Sequence, residues 1–427
     1  MSTALLSYEE AAAMVADYAV RLHPVRRAME CVELAEAAGR TLARPLYADR
    51  DQPPFARSTR DGFACRAREA STHTPLPIAG ATRAGQPPAG PLPPGSTWEI
   101  MTGAPVPEGA DAVMMIEHVE AGEGSVRLLP PRTLAAGENI VARGAQARTG
   151  DELLPAGTAI TYAQIALAAF CGCAALDVFS RPRVAILSTG DELVSVESEP
   201  GAGQIRNSSS PMLAAMVAAG GGEPWMLPTA ADSEQALDAA LAEAADADLL
   251  LITGGVSAGK FDLVEPALAR AGARFHFTGI RIQPGKPLVF CEMPRKRDRN
   301  RRTKDDAEAT LPIFGLPGNP VSSAVTFLLF AAPVLAALAG RRDLGPRFAL
   351  ARLSSRPERR AKAGLTRFLP ALCTFGAGAG RLPEVALVPW QGSGDLAALA
   401  HSNCFLVFPD EDHQPQDAGD VVRILLP

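Results

Sequence analysis

The chain has 427 residues, 47% of them hydrophobic and 21% charged, with a formal net charge of −6. That balance excludes wholesale disorder and leaves material for several cores, two to four domains at roughly 150 residues each. Aromatic residues are only 5% and the charge is acidic, which excludes a stacking platform or a broad face for phosphate backbones, so no nucleic-acid partner is expected.

Ser7, with Glu10 three residues on, reads as the start of a helix over residues 7–22 that carries Ala13, Val15, Tyr18 and Val20. The acids Glu9 and Glu10 stand where a secretory signal would be basic and then apolar, so a cytoplasmic location is expected. From Pro45 to Val141, prolines, glycines and short apolar runs alternate as in a β-rich module. Residues 151–157 read as a loop, and residues 161–175 as an alanine-rich helix.

A regular pattern follows. Val184–Leu187 and Leu249–Ile252 are short, continuously apolar runs of the kind buried in parallel sheets. Helical segments are expected at 211–219 and 233–245. Arg295–Asp306 is a charge run, read as a solvated insertion between strands at 288–291 and 311–314. The most apolar stretch, Phe327 to Ala339, is too short to span a bilayer and contains Pro333, so it reads as a buried helix, with no membrane partner expected. Residues 341–427 read as a final β domain ending in a strand at 421–426. Seven scattered cysteines, an odd number, argue for reduced and mostly buried thiols rather than a disulfide framework. The fold class expected is therefore multidomain α/β. A central parallel-sheet domain (180–340) would stand with a β-rich domain (45–141), a C-terminal β domain (341–427) and a discontinuous helical linker domain (1–44 and 142–179).

Ligands on open α/β sheets bind beyond the carboxyl ends of the strands. Four sequence segments fall there. Ser188-Thr189-Gly190-Asp191-Glu192 offers paired acids for a hard cation or for base work. Thr253-Gly254-Gly255-Val256-Ser257, with Asp262 close behind, offers glycines that let backbone N–H groups approach an anion. Pro284-Gly285-Lys286-Pro287 aims one ammonium from a stiff turn. Gly315 to Ser323, through Pro317, Asn319, Pro320 and Ser322, opens a helix whose first N–H groups attract anions. Each alone is compatible with plain turn chemistry. Together they describe a site for a phosphorylated ligand and a divalent metal. The β-rich region adds Arg57-Ser58-Thr59-Arg60-Asp61-Gly62 and Met101-Thr102-Gly103, which by themselves read as turns.

These segments, in this order, resemble the molybdopterin molybdenumtransferase family, to which bacterial MoeA and the C-terminal domain of gephyrin belong. The resemblance covers essentially the whole chain. It implies an elongated four-domain homodimer, binding of adenylylated molybdopterin, insertion of molybdate with release of AMP, and Mg²⁺ as the supporting cation. It also suggests contact with the adenylyltransferase of the same pathway. By motif, Asp61 and Thr102 would reach into the partner subunit's cleft. Glu192, Asp232 and Asp262 would be the acids that handle metal and pyrophosphate, with Glu192 and Asp262 on the metal. Asp191, Gly254, Gly255, Ser257, Pro287, Pro317, Asn319 and Pro320 would bind substrate. Lys286, Ser322 and Ser393 would face the molybdate, and Arg367 would bind substrate. This chain departs from the family pattern at Gln146, Gly279, Gln283 and Leu365, and Arg60, Arg281 or Arg367 would supply charge from new positions. The same segments leave room for two other readings: the adenylyltransferase itself, or a pterin-binding scaffold with weakened chemistry.

Overall fold

The structure, a computed structural model, describes residues 5–22, 28–87, 90–256, 263–295, 310–356, 364–375, 382–409 and 417–427. Ser7 and Glu10 form the expected capping box: the Ser7 N–H donates to the Glu10 carboxylate at 2.7 Å and the Glu10 N–H to Ser7 Oγ at 3.1 Å. The helix Tyr8–Leu22 buries Tyr8, Ala11, Val15, Tyr18 and Ala19, a stripe at helical spacing. That stripe lies against the later α/β core, with the Tyr8 ring edge-on to Phe330 and Phe368 at 6.1 and 5.4 Å. The apolar surface that this stripe asks for is thus supplied by residues far along the chain. Residues 29–42 instead share a small core with 160–178, where Met29–Glu33 pairs antiparallel with Ala175–Phe179.

Two local expectations are corrected. The alanine-rich helix runs only Tyr162–Phe170, because Gly172 turns at φ +78° and the strand Ala175–Phe179 follows. The expected loop at 151–157 contains the strand Glu152–Leu154, paired antiparallel with Leu46–Tyr47. The β-rich region forms a six-stranded sheet in the order Ala112–Met115, Gly62–Cys65, Thr97–Ile100, Leu76–Thr82, Ser125–Leu128, Val119–Gly122.

The central sheet has six strands in the order Glu223–Met226, Arg183–Ser188, Leu249–Thr253, Thr310–Leu316, Val289–Pro294, Arg274–Thr278. The first four run parallel; Val289–Pro294 runs against them and pairs antiparallel with both Thr310–Leu316 and Arg274–Thr278, so the sheet is mixed rather than wholly parallel. Its middle strands feed two cores by strict alternation. Val184, Ile186, Leu249 and Leu251 face one side, and Ala185, Leu187, Leu250 and Ile252 the other. Burial on both faces is why these strands read as unbroken apolar runs.

Helical residues run without a break from Pro320 to Leu338, with a π-helical turn at Phe327–Ala331 ahead of Pro333. This helix is long and apolar enough to cross a membrane by composition, yet 83% of its most apolar stretch is buried inside the protein. The C-terminal strands Thr366–Thr374, Glu384–Leu387, Phe348–Leu353, Val421–Leu425 and Cys404–Phe408 close into a ring, the last pairing back to the first. Ile282–Gln283 from the central unit pairs parallel with Thr366–Arg367 and ties the two units together. All seven cysteines are free and five are buried; burial pushes the thiols of Cys65, Cys291 and Cys404 up to about 12.

Candidate active site at the carboxyl ends of the parallel strands

Each strand of the parallel half delivers a loop to the same edge. Where Arg183–Ser188 ends, the Thr189 N–H donates to the Thr253 carbonyl at 3.0 Å and the Gly190 N–H to the Ala230 carbonyl at 3.3 Å. Gly190 stands at φ +139°, a backbone conformation that an L side chain rarely adopts. Asp191 and Asp232 then hold one another. The Asp191 N–H donates to Asp232 Oδ2 at 3.4 Å, and the Asp232 N–H to Asp191 Oδ1 at 3.1 Å. Asp191, Glu192 and Asp232 all remain exposed.

The second loop starts at Gly254, at φ +91°, where a Cβ would meet the Thr189 carbonyl oxygen at 2.5 Å. Gly255 follows at φ +61°. The Gly254 N–H donates to the Leu316 carbonyl at 3.4 Å, joining this loop to the third. There, the Pro317 carbonyl accepts from Thr253 Oγ1 at 3.4 Å and from Ser323 Oγ, and the Gly318 carbonyl accepts from Ser209 Oγ at 3.3 Å. Asn319 precedes the long helix and Pro320 opens it, as proline does without losing a needed donor. Asn319 Nδ2 donates to Ser393 Oγ at 2.9 Å, and the Val321 N–H to the Ser393 carbonyl at 3.0 Å. Ser322, in the first turn of that helix, is buried.

Lys286 and Pro287 lie on a turn whose Lys286 carbonyl accepts from the Ile280 N–H at 3.0 Å. Lys286 is exposed, and the turn rests on the long helix: a Cβ on Gly285 would strike Thr326 Cγ2 at 2.6 Å. Arg367 is buried beside Gln283 in register, its guanidinium 5.9 Å from the centre of the Phe408 ring. The structure thus gathers Asp191, Glu192, Asp232, Gly254, Gly255, Pro317, Asn319, Pro320 and Ser393 along one edge. Lys286 and Pro287 stand on the turn that rests on the same helix, and Arg367 on the strand paired with Ile282–Gln283 just before that turn. Ser257 and Asp262 lie outside the described residues.

Asp61 and Thr102 are brought together from 41 residues apart, on the β-rich sheet. Thr102 donates to Asp61 Oδ1 twice, from its N–H at 2.6 Å and from its hydroxyl at 2.8 Å. Those two bonds, backbone first, hold the Asp61 carboxyl below its ordinary value. The hydrogen bonds of this exposed pair stay within its own unit, where the Ile116 N–H also donates to the Asp61 carbonyl at 3.0 Å.

Sequence reasoning missed a layer of neutral polar groups under the loops. Ser188 Oγ and Ser210 Oγ are 2.7 Å apart, and Asn207 Oδ1 accepts from the Ser210 N–H at 3.1 Å. Asn207 Nδ2 reaches Ser210 Oγ at 3.0 Å and Thr229 Oγ1 at 3.4 Å. The run Asn207-Ser208-Ser209-Ser210 ahead of an apolar helix was the available signal.

The residues match two family descriptions: the MoeA N-terminal region (domain I and II) over residues 6–172, and a probable molybdopterin binding domain over residues 185–337. The chain is 34% identical over 411 residues to the molybdopterin molybdenumtransferase of Nostoc, covering 93% of this chain and 89% of that one. It is 33% identical over 408 residues to the enzyme of that name from Bacillus subtilis, with the same shares covered. The chain belongs to the molybdopterin molybdenumtransferase family. Its fold matches the crystal structure of the molybdopterin biosynthesis MoeA protein from Pyrococcus horikoshii with a TM-score of 0.78 at 28% identity, over 99% of this chain and 100% of that one. Members of this family are transferases, and its role is in molybdenum cofactor biosynthesis.

Proposed function

We propose that this chain inserts molybdate into adenylylated molybdopterin and releases AMP. The observation that carries the reading is the joining of three strand-end loops. Asp191 is bonded to Asp232, Thr189 lies against Gly254, and Gly254 is bonded to Leu316 ahead of the Asn319–Ser393 pair. This puts carboxylates, glycine backbone and a helix start on one rim, which suits a phosphorylated ligand.

Acids and phosphate repel, so a cation must stand between them. Among the described residues no group of three or more His, Cys, Asp or Glu forms a cage. Exposed Glu192 instead suits Mg²⁺, which takes one or two protein carboxylates and completes its shell with phosphate oxygens and water. Glu192 and Asp262 would hold it, and when bound it polarises a phosphoryl oxygen and neutralises developing charge. Asp232 fixes Asp191, and the pair sets the rim on which the pyrophosphate linkage lies. Gly254, Gly255 and Ser257 cradle the anion. Pro287, Pro317, Asn319 and Pro320 fix the loops around it. Lys286, Ser322, Arg367 and Ser393 supply donors and positive charge for the molybdate oxyanion. Asp61 and Thr102 would complete the site from the second subunit of a cytoplasmic four-domain homodimer, limiting water at the linkage.

The test is to supply purified protein with adenylylated molybdopterin, molybdate and Mg²⁺, and to follow AMP and the finished cofactor. Stoichiometric AMP and cofactor are expected. Complete inertness with verified substrate rejects the proposal. Adenylylation of molybdopterin from ATP by this chain alone would instead support the adenylyltransferase reading.

A further inference from the structure

At the centre of the strand-end rim lies a hydroxyl with no partner. Thr189 is 3% exposed, and its Oγ1 is buried without a hydrogen bond among the described residues. Its backbone is fixed on both sides. The N–H is spent on the Thr253 carbonyl, and the residue bridges to Ala230 in parallel register. The side chain points at the Gly254-Gly255 turn: Oγ1 lies 3.0 and 2.9 Å from where a Cβ would stand on those two residues. Both glycines are at positive φ, so the turn cannot take a side chain that would satisfy the hydroxyl locally. An unmade hydrogen bond on a buried hydroxyl is costly, and such orphans mark sites completed by something else. The bonded pair Asp191 and Asp232 stands on the adjoining loop, and the neighbouring hydroxyls are occupied: Ser188 with Ser210, Thr253 with Pro317.

We propose that Thr189 is a ligand-binding residue whose Oγ1 donates a hydrogen bond to a phosphoryl oxygen of the substrate seated over the Gly254-Gly255 turn. The inference rests on the function proposed above, and deepens it by naming the donor that would meet a phosphoryl oxygen beneath the Asp191–Asp232 rim. A donor is what an anionic oxygen needs there, and a neutral one adds no charge to a crowded acidic edge.

The experiment compares Thr189→Val, Thr189→Ser and wild type, each measured for thermal stability and for Kd with adenylylated molybdopterin and with AMP in the presence of Mg²⁺. Valine keeps the shape and removes the orphan. The unliganded protein should melt at an unchanged or slightly higher temperature, while affinity for the adenylylated pterin falls about tenfold. Serine keeps the hydroxyl and should bind within about twofold of wild type. Valine that binds as wild type does overturns the inference, as does valine that lowers stability without weakening binding; the latter would mean the hydroxyl serves a structural water. If valine fails to fold, the Thr189→Ala and Thr189→Ser pair decides, since only serine should restore affinity. Failure of wild type itself to bind the pterin would sink the proposed function rather than this residue's role.

Discussion

Gly254→Ala tests whether the loops at the strand ends are one coupled unit. Alanine at φ +91° is in left-handed space, which costs ~1–2 kcal/mol for an L residue. Its Cβ would also lie 2.5 Å from the Thr189 carbonyl oxygen, well inside contact distance. That carbonyl cannot easily retreat, because Thr189 bridges to Ala230 and the Gly190 N–H is bonded to the Ala230 carbonyl. Overpacking of this kind costs a further ~1–3 kcal/mol. The sum is ~2–5 kcal/mol, which lowers the melting transition of the central unit by about 5–15 °C. Gly39→Ala is the control. It shares a positive φ of +75° but has nothing within 4 Å of its Cβ, so only the backbone cost of ~1–2 kcal/mol applies. Because relief of the clash must move Thr189, it must also move Asp191 and Asp232. Gly254→Ala should therefore weaken binding of adenylylated molybdopterin by more than tenfold, while Gly39→Ala leaves it unchanged. Scanning calorimetry and titration of both variants settle it. If Gly254→Ala melts with Gly39→Ala and binds as wild type does, the coupling between the loops is wrong.

Asp61→Ala should abolish turnover without loss of fold, and so should Glu192→Ala. If the site is shared between subunits, mixing the two inactive variants should recover about a quarter of wild-type activity, since half the dimers would carry one intact site. No recovery in a verified mixed dimer would place Asp61 outside the catalytic cleft. The Asp61 carboxyl is held below its usual 3.8 by the Thr102 bonds, so the stabilisation it gives is present above that value and lost only as pH falls through the lowered one. An acid limb in the rate profile between pH 5 and 7 that vanishes in Asp61→Asn would contradict this. Lys286→Ala should raise the molybdate concentration needed for half-maximal rate at least tenfold and leave pterin affinity unchanged; an unaltered requirement would move the oxyanion elsewhere. Tyr18→Phe removes the bond from the Tyr18 hydroxyl to buried Glu292 at 3.0 Å, and should cost ~1–2 kcal/mol with no effect on binding. Burial raises the Glu292 carboxyl, but bonds from Thr310, Arg274 and Tyr18 outweigh it and hold the group low. This clamp is thus complete above the ordinary carboxylate range and loosens as pH falls through the lowered value, which thermal melts against pH would show.

The apolar strands at 183–188 and 249–253 were legible because burial on both faces leaves an unbroken apolar run. Their direction was not. An apolar run reports burial alone, so Val289–Pro294, which pairs antiparallel with Thr310–Leu316, looked the same as the parallel strands, and Arg274–Thr278 carries no such run to read. The first helix was legible from Ser7 and Glu10, yet its partner was not. Its stripe asks for an apolar surface, and Phe330 and Phe368 are far away in sequence. Glu152–Leu154 was missed for a similar reason: three residues carry no period, and pairing with Leu46–Tyr47 makes them a strand.

At the site, charge was the readable quantity. Asp191, Glu192, Asp232 and Lys286 stand out in any acidic or basic count, and glycines stand out where backbone must turn. Neutral hydroxyls do not. Ser188, Ser210 and Thr253 are serines and threonines like many others, and they differ from Thr189 only in having partners. A partnerless hydroxyl is a property of three-dimensional packing, created when Gly254 and Gly255 leave room for Thr189 and nothing for it to bond. An acidic rim would repel an anionic ligand if left to itself. Neutral donors beneath it add attraction without a competing ion pair, and the proposed cation would then have only the exposed carboxylates to neutralise. Under the proposed binding, the hydroxyl under the turn would set where the phosphate lies, and the acids above would set what must accompany it.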